Sequence, residues 1–106
     1  MGMGTVQPMQ LSDAGFLRKL RAIVMDSDRV VLTSHAKWRM RQRRISQRQM
    51  LECLRKGHIC EPAHLTIQGD WKATLEHQYA GDLVRVAVAI ERQEDGEMAV
   101  VVTVME

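Results

Sequence analysis

The sequence predicts an α+β domain, with two or three N-terminal helices packed on a four-stranded antiparallel sheet. Three observations carry this. Helical periodicity with capping signals fills the first half of the chain and stops at Gly57. Alternating, β-branched runs separated by glycine-containing turns fill the second half. A chain of 106 residues has room for one core, so both halves must share it. A single domain is expected over residues 11–106, behind a disordered or appended tail at residues 1–10.

From Leu11 to about Met25, Phe16, Leu17, Leu20, Ile23 and Val24 follow the three-and-four spacing of an amphipathic helix, opened by Ser12 or Asp13. Val30–Leu32 is a short apolar run of strand character. Thr33 or Ser34 caps a second helix through SHAKWRMRQRR, and Ser46 with Gln49 forms a capping box that restarts the helix. This third helix ends at Gly57 after Arg55 and Lys56. Ile59–Ile67, Lys72–Tyr79, Leu83–Glu91 and Met98–Met105 then read as strands, with turns at Gly69-Asp70, Gly81-Asp82 and Asp95-Gly96. Val84, Val86, Val88 and Ile90 share the core face of the third of these strands. In the last strand Met98, Val100, Val102 and Val104 fall on one face, opposite Ala99, Val101, Thr103 and Met105. Both faces are apolar, which predicts a central position.

Composition narrows the function. Hydrophobic residues are 45% and charged residues 26%, the balance of a folded globular protein. No apolar stretch approaches the roughly 18 residues of a membrane span, and the N-terminus lacks the basic and apolar regions of a secretory signal, so a cytoplasmic protein without membrane contact is expected. Two cysteines make no disulfide framework. The few aromatics, Phe16, Trp38, Trp71 and Tyr79, argue against stacking as a means of reading bases.

Charge is the strongest functional signal. The net charge is only +2, but residues 34–57 hold eight basic side chains against Glu52 alone, a net of +7, while residues 58–106 sum to −6. Six of the eight cations are arginine, the residue that forks onto phosphate. A polyanionic partner fits this block. The alternative is a solvated helix neutralised by the acidic half of its own domain. At about 100° per residue, Lys37, Arg41 and Arg44 fall on one side of the second helix, and Arg48 follows on the third. These four are the expected RNA contacts. His35, Arg39 and Arg43 form a separate stripe flanked by Ala36, Met40, Trp38 and Ile45, where a guanidinium needs a bonded acceptor. That acceptor is either Glu76 or Glu91 from the sheet, or a phosphate.

The run TSHAKWRMRQRRIS, the following helix ending in KGHI and the closing VVVTV resemble the bacterial domain of unknown function 4258 family. Thr33, His35, Arg39, Arg43, Ile45 and Ser46 carry the likeness, which spans about residues 30–105. The resemblance implies a fold like the RelE toxins and related small metal-independent ribonucleases, with RNA cut against the sheet face. A toxin-type endoribonuclease is therefore expected, working by general acid/base chemistry without a cofactor. An acidic antitoxin-like protein is then a second kind of partner.

The residues for such chemistry are present. Histidine moves protons near neutral pH and arginine stabilises a phosphorane, so His35, Arg39, Arg43, His77 and Arg85 are the catalytic candidates, with Tyr79 beside His77. His35 at a helix start suits the base; the alternative is that it fixes the strand-to-helix turn by hydrogen-bonding the preceding loop. The alternative function is a non-catalytic module that binds nucleic acid or protein through the basic helices 34–57. Cys53, His58, Cys60 and His64 supply zinc-type ligand atoms, but their spacing is not that of a zinc finger, Pro62 interrupts their strand, and Cys53 falls on an apolar helix face. No metal site is assigned.

Overall fold

Short polar side chains set where each helix begins. In the computed structural model, which describes residues 11–105, Ser12 accepts the Gly15 N–H at 3.0 Å and starts α1 (Asp13–Ile23), whose buried stripe is Phe16, Leu20 and Ile23. The tail expected over residues 1–10 lies outside the described residues. A 3-10 turn, Ser27–Arg29, leads into β1 (Val30–Leu32), and Thr33 caps α2 (Ser34–Arg43). Ser46 caps α3 (Gln47–Lys56) through the expected reciprocal pair. Gln49 N–H donates to Ser46 Oγ at 3.1 Å, and Ser46 N–H donates to Gln49 Oε1 at 2.8 Å.

Gly57 ends α3, for a reason other than the usual left-handed cap. Its φ is −69°, which any residue adopts. A Cβ at this position, however, would fall 2.5 Å from the Cys53 carbonyl oxygen and 2.8 Å from that of Glu76. Glycine is needed because two backbones pass there. Arg21 of α1 donates to the Gly57 carbonyl, tying the first helix to the end of the third.

Four strands follow as expected: β2 (His58–Leu65), β3 (Trp71–Tyr79), β4 (Asp82–Gln93) and β5 (Gly96–Met105). The sheet differs from the expectation in having five strands, ordered β1-β5-β4-β3-β2, with β1 parallel to β5. It is mixed, not four-stranded and antiparallel. Thr33 explains the pairing. Its N–H donates to the Val101 carbonyl at 3.1 Å, its hydroxyl donates to the Val102 carbonyl at 2.9 Å, and the same Oγ accepts the Ala36 N–H at 3.0 Å. One residue thus closes the sheet and opens α2.

β5 lies between β1 and β4, so its position inside the sheet is as predicted. Its face assignment needs one correction. A register shift places Ala87 opposite Thr103 but Val88 opposite Val101, so alternation breaks at Val102, and Val104 joins Ala99 and Val101 in the core instead of siding with Val100. The core itself lies between the helices and one sheet face, where Phe16, Leu20, Met50 and Leu54 meet Leu75, Val84, Val86, Val88 and Val101. Pro62 is accommodated because β2 is an edge strand with register shifts on either side of Glu61.

Candidate nucleic-acid interface

α2 ends at Arg43, and Arg44 takes the left-handed conformation with φ 56° and ψ 42°. The turn that follows sends Ile45 into the core, 7% exposed. Extending the helical spiral to Ile45 therefore misplaces it, and one apolar flank of the expected inward stripe disappears. The other flank fails too, since Trp38 is 51% exposed. Ala36 and Met40 alone are the buried face of α2. The stripe is corrected accordingly: His35 and Arg43 are exposed and only Arg39 is half-buried. The Arg39 Nε is buried with no hydrogen-bond partner among the described residues.

Glu76 is not the acceptor for that stripe. Its Oε2 accepts from Arg85 Nε at 3.0 Å and its Oε1 lies 3.1 Å from His58 Nε2. Arg85, and then His58, hold the Glu76 carboxyl below its ordinary range. This cluster occupies the sheet face away from the helices, because Arg85 alternates with the core residues Val84 and Val86. His77 shares the face of the core residues Ala73 and Leu75, two and four residues before it, and lies near Glu52 of α3. Lys56 at 3.1 Å, with His77 and Arg55 contributing less, holds the Glu52 carboxyl below its ordinary range. The five catalytic candidates are thus spread over three places: His35, Arg39 and Arg43 on α2, His77 beneath α3, and Arg85 on the opposite sheet face.

The zinc-type residues go separate ways. Cys53 is buried and its Sγ donates to the carbonyls of Leu75 and Val84, each at 3.6 Å. Burial pushes this thiol up to about 12. Cys60 is exposed on β2, His58 sits on Glu76, and His64 Nδ1 lies 3.3 Å from the Pro62 carbonyl.

The expected RNA contacts, in contrast, come together. Lys37, Arg41 and Arg44 line one groove whose apolar part is Leu32, Met40 and Ile45, closed by Ser46 and Gln47 at the start of α3. No carboxylate is among its described lining residues. Arg48 is exposed one residue beyond Gln47 and extends the basic surface. A second hollow, lined by Leu11, Lys19, Asp70, Trp71, Arg92 and Glu97, carries both signs of charge, and Glu97 neutralises Lys19 at 2.9 Å. The α2 groove is therefore the more uniformly basic of the two.

Two features escaped the sequence reading. Trp38 was there to be found, because on the α2 spiral it stands opposite Ala36, the centre of the buried face. The apolar part of the groove had no local signal, since Leu32, Met40 and Ile45 come from three different segments. The family model for the domain of unknown function DUF4258 matches residues 32–106. The chain belongs to the DUF4258 family. The DUF4258 region runs from the last residue of β1 and takes in α2, α3 and the whole basic groove; α1 precedes it. No curated protein and no solved structure matches the chain.

Proposed function

We propose that this chain binds RNA through the groove of Lys37, Arg41 and Arg44, with Arg48 extending the contact. The observation that supports this reading is the groove itself: Lys37 and Arg41 from successive turns of α2 and Arg44 from its C-cap, around an apolar strip, with no carboxylate among the described lining residues. Such a row attracts a phosphate backbone whatever its sequence, and the released counterions supply much of the affinity. The acidic surface lies instead on the strands and hairpin turns, where Asp82, Glu94 and Asp95 are exposed.

A RelE-like, toxin-type endoribonuclease is the second reading. It is favoured by His35, exposed at the head of the helix that carries the groove, one turn before Arg39. His77 and Arg85 stand elsewhere, so cleavage would need its acid from another source. Incubating the protein with end-labelled RNA in EDTA at low salt tests both. A retarded complex with intact RNA is expected. Cleaved RNA, abolished in His35→Asn, would replace binding by the ribonuclease reading. Absence of any complex would overturn the RNA assignment and leave an acidic antitoxin-like protein as the partner for the basic face.

A further inference from the structure

We infer that Trp38 is a stacking platform for an unpaired base, so that the groove takes single-stranded RNA in preference to duplex. The inference rests on the RNA reading of the same site and names its substrate class. Trp38 is 51% exposed, on the solvent side of a helix whose buried residues are Ala36 and Met40. The buried face of α2 is supplied by Ala36 and Met40, and leaving half of so large an apolar side chain in water forgoes burial energy.

Its neighbours decide what the ring would meet. Lys37 precedes it, and Arg41 lies three residues on, the spacing at which helix side chains stand side by side. Both belong to the basic groove. On the other side His35, three residues back, places its ring centroid 6.1 Å from that of Trp38 at an interplanar angle of 33°. At that distance and tilt the imidazole is not stacked flat on the indole. Lys37 and Arg41 on α2 and Arg44 at its C-cap meanwhile form a row along the groove, with Lys37 and Arg41 roughly 6 Å apart along the helix axis.

A strand whose phosphates follow that row can turn a base onto the indole, and any base presents a π-face. A duplex keeps its bases stacked on one another and offers the ring only backbone and groove edges. Charge complementarity selects a polyanion over an apolar peptide, and the adjoining ring selects a polyanion with free bases. The scarcity of aromatics in this sequence therefore does not exclude base stacking, since one exposed ring placed beside the cations is enough.

The test compares a short single-stranded RNA with a hairpin duplex of the same length, using the parent, Trp38→Ala and Trp38→Phe. Trp38→Ala should weaken single-strand binding about tenfold or more, leave the salt dependence unchanged, and affect duplex binding little. Trp38→Phe should retain most of the affinity. In a Trp71→Phe background, where Trp38 is the remaining indole, single-stranded RNA should quench the emission and duplex should not. Equal single-strand affinity for Trp38→Ala and the parent would overturn the stacking role while leaving the groove as an RNA site. Failure of the parent to bind either RNA at low salt would overturn the RNA reading itself. Quenching by an acidic peptide with none by RNA would assign the ring to a protein partner.

Discussion

Arg44 holds a backbone conformation that L-residues with a Cβ adopt at a cost of roughly 1 kcal/mol, at a helix end where glycine is the common solution. A strained residue kept at the rim of a groove points to a use for its side chain. Arg44→Gly should therefore keep or raise stability, by up to about 1 kcal/mol, since the relieved strain is partly offset by glycine's freedom in the unfolded chain, and it should weaken RNA binding. Thermal unfolding and a binding titration on the same sample check both halves. Glu76 gives a second residue-level prediction. Arg85 and His58 lower its pKa in the folded state, so its contribution to stability is present above the unfolded carboxylate value of about 4.3 and is lost as pH falls through the lower folded value. Unfolding midpoints of Glu76→Gln should fall off less steeply than the parent's over that acid range.

At the scale of elements, the helix starts were legible in the sequence because capping is local. Ser12, Thr33 and Ser46 each bond an N–H within three residues. The meander was legible for a similar reason, its turns being short and marked by glycine. The parallel pairing of β1 with β5 was not, because it joins Thr33 to Val102 across almost the whole family region, and no local pattern encodes that partner. The groove was half legible: Lys37, Arg41 and Arg44 follow from helical spacing, whereas the left-handed turn at Arg44 moved Ile45 off that spacing and altered which side of α2 is buried. The junction of α3 with β2 gives the element-level prediction. Gly57→Ala pushes a methyl into the Cys53 and Glu76 carbonyls, two backbone groups that cannot swing aside, and should cost roughly 1–3 kcal/mol in denaturant unfolding without altering the salt dependence of RNA binding.

Over the whole molecule, α2, α3 and the turn between them carry most of the positive charge, and the strands and hairpins carry most of the negative. α1, outside the family region, is joined to this frame by Arg21 on the Gly57 carbonyl, by Asp13 accepting the Ala63 N–H at 2.9 Å, and by Lys19 on Glu97. Its role is to complete the core beneath α3 and the sheet rather than to shape the groove. Phosphate contact at Lys37, Arg41 and Arg44 is tested most directly by the salt dependence of single-stranded RNA binding. With those three residues replaced by glutamine, the slope of log K against log salt should become shallower by about 2, near 0.7 for each lost phosphate contact. A slope equal to the parent's would contradict the assignment of the groove.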